Sequence, residues 1–157
     1  MGYITMQNEA YHYTDCGLDN VYIEGFDLVC DDSGEETICI PAIGRLHKAI
    51  AQSIVMMPCP ISGKELRFLR TEMGYTQKEL ADILKTSEQT LARWEKGQTS
   101  IPGAADILIR KLTGEKLGFE RDEGVESIAG KIHKERDACP ELRIHTETGR
   151  DYRPVAA

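Results

Sequence analysis

The fold of the central part of this chain is decided by residues 76–97, which read TQKELADILKTSEQTLARWEKG. Thr76 is followed three positions later by Glu79, the capping-box pattern that begins a helix, and Ser87 is the N-cap candidate of a second helix. Apolar residues recur after each cap at helical spacing. Because few residues separate the two apolar runs, the pattern predicts two short helices that a tight turn holds at a fixed angle.

Two more helices are predicted on either side of this pair. Ser62 and Glu65 form another capping box, which opens a helix. Pro102 suits the start of a further helix, and Gly114 is expected to end it. Four short helices with brief connections predict a compact all-α unit over residues 61–114.

This unit resembles the lambda-repressor-like helix-turn-helix domain of Xre/Cro-type regulators, a fold of four to five helices. The resemblance rests on residues 76–97, and it implies a transcriptional repressor that binds double-stranded DNA in a sequence-specific way. It also implies a homodimer that reads a palindromic operator. Members of the family often have glycine in the turn, where this chain has Lys85. A left-handed backbone at a lysine costs roughly 1 kcal/mol.

The helix that begins after Ser87 is predicted to enter the major groove by its N-terminal end. On its outer side, Gln89 can pair with adenine, Arg93 can pair with guanine, and Thr90 can contact a thymine methyl group. Gln77 stands at a helix start, where a phosphate can bind. With the positions that the resemblance assigns to the DNA backbone, the predicted DNA-binding residues are Gln77, Lys78, Ser87, Glu88, Gln89, Thr90, Arg93, Lys96, Gln98 and Thr99.

The opposite side of the same helix is predicted to face the core. Leu91 and Trp94 lie there at helical spacing, so Trp94 is expected to be buried rather than stacked on a base. Ala81 is small, which suits the point where the two helices cross.

Charge is unevenly distributed along the chain, whose formal net charge is −7. Residues 1–61 carry −7, residues 62–114 carry +2 and residues 115–157 carry −2. Only the middle segment has a balance that suits a polyanionic partner, although DNA binding needs a basic face rather than a basic protein. The asymmetry predicts separate functional units.

Residues 1–58 are predicted to form a small strand-rich module with one helix, which makes the whole chain an α+β protein. Its β-prone runs are separated by turn-forming residues and comprise Tyr11 to Tyr13, Val21 to Ile23, Phe26 to Cys30 and Thr37 to Ile40. Pro41 is expected to begin the helix, which contains Leu46 and Ile50. The prolines of Met57-Pro58-Cys59-Pro60 are expected to break the chain after it.

Residues 115–157 are predicted to hold one helix and a mobile tail. The helix is expected over Asp122 to Lys134, and the tail over Thr146 to Ala157, where no pattern is sustained. The fourth helix of the central unit and this later helix are expected to form the dimer contact. Their apolar residues are Ile107, Leu108, Leu112, Val125, Ile128 and Ile132.

The sequence predicts a cytoplasmic protein. Its longest apolar runs are far too short to span a bilayer, and Met1 to Ala10 shows no basic region followed by an apolar run. Five cysteines make an odd count and contain no C-x-x-C pair. That pattern favours reduced thiols over a disulfide framework.

A strand-rich module joined to an Xre-type domain resembles the zinc-finger/helix-turn-helix antitoxins of the MqsA type. In that family, two C-x-x-C pairs hold a structural zinc in the module that binds the toxin. Cys16 and Cys30 each lack the second cysteine of such a pair, so no metal or other cofactor is predicted. The open alternative is a site that brings together Cys16, Cys30, Cys39 and Cys59.

The antitoxin resemblance implies a repressor of its own operon, with an acidic module that docks a basic toxin protein. The alternative is a ligand-sensing or stand-alone repressor without a toxin partner. A third interpretation is an interaction adaptor that no longer binds DNA. An enzyme is not predicted, because the chain contains no G-x-S-x-G or H-E-x-x-H motif.

Overall fold

A computed structural model describes residues 3–4, 10–26, 28–30, 32–34, 36–119 and 123–155. These residues form an α+β protein, as the sequence predicts, and they divide into two compact units. The first unit combines residues 1–53 with residues 141–157, and the second comprises residues 54–140. None of the helices in the described ranges combines the length and the apolar character that crossing a membrane requires.

The first unit contains two small sheets and most of one helix. Its elements are β1 (Tyr3–Ile4), β2 (Tyr11–His12), β3 (Val21–Glu24), β4 (Leu28–Cys30), β5 (Glu36–Ile38), α1 (Ile43–Met56), β6 (Leu142–Thr146) and β7 (Tyr152–Pro154). One sheet has the order β1-β4-β5 with antiparallel pairs. The other has the order β2-β3-β6-β7, in which β3 and β6 are parallel and the remaining pairs are antiparallel.

The core of the first unit comes from alternating strand residues and one face of α1. Val21 and Ile23 of β3 are buried beside their register partners Leu142 and Ile144 of β6. On the part of α1 that belongs to this unit, the buried residues are Leu46, Ala49, Ile50 and Ala51. A hydrogen bond of 3.0 Å between the Tyr13 hydroxyl and His47 Nε2 connects the sheet to this helix.

The prediction of a mobile C-terminal tail is wrong, since β6 and β7 belong to the four-stranded sheet. The strand β6 has only five residues, and its parallel partner β3 lies at the other end of the sequence. No long apolar run in the sequence therefore indicates this strand, and its pairing with β3 leaves no local signal. Residues 156 and 157, the last of the predicted tail, lie outside the described residues.

The second unit is helical. Its elements are α2 (Gly63–Met73), α3 (Gln77–Ile83), α4 (Glu88–Glu95), α5 (Gly103–Leu117), α6 (Val125–Lys131) and a 3₁₀ turn (Arg136–Ala138). The first four fit a lambda-repressor-like helical domain, as predicted. The later helix, expected over Asp122 to Lys134, is α6, and Asp122 lies outside the described part of the chain.

The predicted helix caps are confirmed. Ser62 Oγ accepts a hydrogen bond from the Glu65 amide, and Thr76 Oγ1 accepts one from the Glu79 amide, with the reciprocal bonds of a capping box in both cases. Ser87 caps α4 through one such bond, from the Thr90 amide to Ser87 Oγ. The expected end at Gly114 is wrong, because α5 continues to Leu117 before the left-handed Gly118. A glycine inside a helix costs only about 1 kcal/mol, which packing can offset.

Residues 54–62, before α2, belong to the helical unit, which therefore begins at Ile54 rather than at the predicted residue 61. Arg110, fully buried on α5, donates to the carbonyl oxygens of Val55, Met57 and Cys59. Its Nε donates to Asp106 Oδ1 at 2.7 Å. The Arg110–Asp106 pair therefore binds the backbone around Pro58 directly. The prolines bend the chain at this point, but the segment remains part of the helical unit.

Cys59 and Cys139 form a disulfide, which corrects the expectation of reduced thiols throughout. Their Cα atoms are 5.8 Å apart, within the usual range for a disulfide, although 80 positions separate them in sequence. Close by, the Pro58 carbonyl accepts hydrogen bonds from the amides of His133 and Lys134. The two cysteines meet because residues 133–139 pack beside Pro58 and Cys59. The spacing of cysteines in the sequence does not indicate this contact.

Candidate nucleic-acid interface

The turn between α3 and α4 is tight. Lys85, which stands where related proteins often have glycine, has a φ of 56° and so adopts the left-handed conformation. The Thr86 amide donates to the Ala81 carbonyl at 3.0 Å and closes the turn. Ala81 and Leu91 are buried where the two helices meet. A small side chain and one strained residue thus fix the angle between the helices.

The helix α4 has an exposed outer side and a buried inner side. Gln89 and Arg93 are exposed, and Glu88 is exposed beside them at the start of the helix. Leu91 is fully buried and Trp94 is 7% exposed. The prediction that Trp94 belongs to the core is confirmed, so it cannot stack on a base.

Ser87 and Thr90 are bonded to each other at the start of α4. Ser87 Oγ accepts from the Thr90 amide at 3.0 Å, and the two hydroxyl groups are 2.8 Å apart in a further hydrogen bond. Ser87 therefore stabilises the helix start, where an N-cap is worth about 1 kcal/mol. Thr90 is half-buried, which reduces the surface it offers to a base.

Gln77, which is predicted to bind a phosphate, makes a contact within the domain. Its Nε2 donates to Glu95 Oε2 at 2.7 Å, and the side chain is half-buried. The side-chain amide thus joins α3 to the end of α4. The neighbouring Glu79 completes the cap of α3, and hydrogen bonds from the Thr76 amide and hydroxyl lower the pKa of its carboxyl.

A buried ion pair lies behind α4 and was not predicted from the sequence. Arg70 of α2 donates through Nε and one terminal nitrogen to the two carboxylate oxygens of Glu95. Another Arg70 nitrogen donates to the Tyr75 carbonyl. One signal was present in the sequence, since Glu95 is four positions after the buried Leu91 and so lies on the inner side of α4.

The ends of α2 and α4 approach each other closely. A Cβ atom added at Gly63 would lie 2.3 Å from the Trp94 carbonyl oxygen and 2.6 Å from the Glu95 carbonyl oxygen. Only glycine allows this contact. The first turn of α2 therefore limits where the last turn of α4 can lie.

The remaining predicted residues are exposed around the two helices. After α4, the left-handed Gly97 reverses the chain, and the Gln98 amide donates to the Arg93 carbonyl at 3.0 Å. Of the ten predicted residues, eight are exposed, namely Lys78, Ser87, Glu88, Gln89, Arg93, Lys96, Gln98 and Thr99. This set contains three cationic side chains and one carboxylate, so it is positively charged.

The disulfide excludes Cys59 from the four-cysteine metal site that the sequence left open. Cys59 is bonded to Cys139, which removes its thiolate from any ligand set. Among the described residues, no three His, Cys, Asp or Glu side chains are grouped so as to hold a metal ion. The side chain of Cys30 lies outside the description.

Comparison with known proteins identifies the central helices. Residues 66–108 match the helix-turn-helix family HTH_3, so the chain contains a helix-turn-helix domain. A protein of Thermococcus kodakarensis, named as an HTH-type transcriptional regulatory protein, is 28% identical over 87 residues, which are 55% of this chain and 26% of that protein. A protein of Pyrococcus horikoshii with the same kind of name is 39% identical over 57 residues, or 36% of this chain and 18% of that protein.

A third relative is of another class. The type II methyltransferase M.MspI of Moraxella sp is 27% identical over 67 residues, covering 43% of this chain and 16% of the methyltransferase. The chain thus spans about a quarter or less of the length of each of these relatives. No solved structure gives a significant match.

Proposed function

We propose that this protein is a sequence-specific DNA-binding regulator that represses transcription. The observation that carries the proposal is the two-sided character of α4, where Leu91 and Trp94 are buried while Gln89 and Arg93 are exposed at its outer side. A helix of this kind following a tight turn is the element that enters the major groove in helix-turn-helix proteins. The named relatives from Thermococcus and Pyrococcus support the same function.

Base recognition is assigned to two side chains. Gln89 can pair in a bidentate manner with adenine, and Arg93 can do so with guanine. Both side chains are exposed, so both can turn toward a base edge. Lys78 and Lys96 are exposed cations that can bind phosphates and set the register of the domain on DNA.

The regulator is proposed to act as a homodimer. One domain of this size contacts few base pairs, and a two-fold dimer would read a palindrome with half-sites about 34–36 Å apart. Leu108 of α5 and Val125 of α6 are 44% and 59% exposed, and the two helices pack against each other. Ile128 is only 4% exposed, so it belongs to the core of the monomer rather than to the interface.

The first unit is proposed to bind a partner protein. Residues 1–53 contain nine acidic and two basic side chains, and residues 141–157 add three of each, so this unit carries a net charge of −7. Such a charge favours a basic partner. A basic toxin encoded beside this protein would make it an antitoxin-like autoregulator, and co-purification of the adjacent gene product would support that role over a stand-alone or ligand-sensing repressor.

The DNA-binding proposal is tested with the region upstream of the protein's own gene. Fluorescence anisotropy of that fragment, titrated with the full chain, should give tighter binding than a shuffled fragment of equal length and composition. The affinity should fall as salt rises, because phosphate contacts release counterions. Equal affinity for the two fragments would refute sequence-specific recognition.

A further inference from the structure

The Cys59–Cys139 disulfide links the first segment of the helical unit to its last segment. Cys59 lies shortly after Ile54, where the unit begins, and Cys139 precedes Pro140, where it ends. Cys59 is fully buried, whereas Cys139 is only half-buried. Cys139 is thus the more exposed cysteine of the pair, and its sulfur is the one that a reagent is expected to attack.

Cys139 directly follows the 3₁₀ turn that positions Arg136. The Cys139 amide donates to the Arg136 carbonyl at 3.0 Å. Arg136 in turn donates to both carboxylate oxygens of Glu65, at 2.6 and 2.8 Å, and to the Pro60 carbonyl at 3.0 Å. The disulfide and the guanidinium thus hold the same short segment against the segment before α2.

Glu65 connects this contact to the DNA-binding helices. It is 1% exposed, and its carboxylate also accepts the Ser62 amide in the cap of α2. A buried carboxylate that loses its cation is strongly destabilising. The first turn of α2 lies against the last turn of α4 at Gly63, so a disturbed cap at Glu65 would reach the helix that carries Arg93.

We propose that the Cys59–Cys139 disulfide is a redox switch that controls DNA binding. The inference rests on the proposed function. In the oxidised protein the bond holds Arg136 in its ion pair with Glu65. The first turn of α2 then stays packed against the last turn of α4 at Gly63. In the reduced protein the covalent link between Cys139 and Cys59 is gone, so the Arg136–Glu65 ion pair is held in place less firmly and the cap of α2 is weakened.

The chemistry is thiol–disulfide exchange with a dithiol. A thiolate of the dithiol attacks Cys139 Sγ, the disulfide bond breaks, and its electron pair passes to Cys59 Sγ, which takes up a proton. The second thiol of the dithiol then displaces Cys139 and becomes part of a cyclic disulfide. Two cysteine thiols are formed and one dithiol is oxidised. An oxidised dithiol drives the reverse reaction.

The experiment compares the full chain before and after treatment with dithiothreitol. Alkylation followed by mass spectrometry should show two more modified cysteines in the reduced sample. Reduction should weaken binding to the upstream fragment by about 5- to 150-fold, the range typical of coupled sites. It should also lower the melting temperature by about 10 °C, since the bond closes a long loop.

Three variants separate the disulfide from other effects of reductant. Cys139→Ala should bind DNA like the reduced wild type and should not respond to dithiothreitol. Cys39→Ser changes an exposed cysteine outside the pair and should keep the full response. Arg136→Gln keeps the disulfide but weakens the contact with Glu65, so it should reproduce part of the loss of affinity without reductant.

The outcomes distinguish this inference from the function on which it rests. Equal DNA affinity of the verified oxidised and reduced forms would overturn the switch and leave the proposed function intact. Free thiols at Cys59 and Cys139 in protein purified without reductant would overturn it as well. If neither form prefers the upstream fragment to shuffled DNA, the proposed function fails and the switch fails with it.

Discussion

Arg70 of α2 and Glu95 at the end of α4 form an ion pair with only 2.5 Å between Arg70 Nε and Glu95 Oε1. The Glu95 side chain is 4% exposed, and its second oxygen also accepts the amide of Gln77 on α3. One carboxylate therefore fixes the proposed recognition helix to both helices that precede it. The orientation of Arg93, the side chain proposed to read a base, depends on these polar contacts as well as on the burial of Trp94.

Arg70→Met should destabilise the protein, because it leaves the buried Glu95 carboxylate without its cation. The expected loss is about 3 kcal/mol of unfolding free energy, measured by urea denaturation. Arg67→Met is the matched control on the same helix, where the side chain is exposed, and it should change stability by less than about 0.5 kcal/mol. Similar losses in the two variants would mean that the ion pair contributes nothing specific.

Arg93→Ala should cost about 1–3 kcal/mol in binding to the specific fragment and much less in binding to shuffled DNA. Gln89→Ala should act in the same direction. Anisotropy titrations measure both, with Arg153→Ala as a control that removes an exposed arginine from the first unit. Wild-type affinity in both α4 variants would show that this helix does not read the bases.

Gly63→Ala should destabilise the helical unit by about 1–3 kcal/mol, because the new methyl group would overlap the Trp94 and Glu95 carbonyl oxygens. Gly130→Ala is the matched control within α6, where a Cβ atom meets nothing within 4 Å. That change should stabilise the protein by roughly 0.5–1 kcal/mol, since alanine favours a helix over glycine. Thermal unfolding should therefore shift in opposite directions, and shifts of the same sign would contradict the close approach.

Leu108→Glu and Val125→Glu should convert the proposed dimer to a monomer, because each places a charge in the apolar interface. Sedimentation velocity of the full chain at micromolar concentration measures the change. Val155→Glu alters another exposed apolar residue, in the first unit, and should leave the dimer intact. A dimer that persists in both helical variants would place the interface elsewhere.

Asp151→Asn should weaken the turn between β6 and β7. The hydroxyl and amide of Thr148 donate to the Asp151 carboxylate, and these bonds hold its pKa well below the usual range. A depressed pKa in the folded state adds stability above the unfolded value of 3.8, and that stability is lost as the pH falls below it. The melting temperature of the variant should thus be lower than that of wild type at pH 7, with a smaller difference at pH 3. A difference that does not change with pH, or an equal effect from Glu147→Gln, would contradict this assignment.

The sequence by itself determined the helix-turn-helix domain. The caps at Ser62, Thr76 and Ser87 use hydrogen bonds that span three residues, so both partners are visible in a short window of sequence. The outer and inner sides of α4 follow from helical periodicity alone, which is why Arg93 was predicted to be exposed and Trp94 buried. Local physics is sufficient for both features.

Only the tertiary structure decided which distant segments of the chain contact each other. Ile144 of β6 pairs with Ile23 of β3, and Cys139 bonds to Cys59, although each pair is distant in sequence. The role of Arg110 is likewise set by carbonyl groups more than fifty positions away. Such contacts gain their energy from burial and from bonds to the distant partner, and neither residue of a pair carries a local pattern that specifies the other.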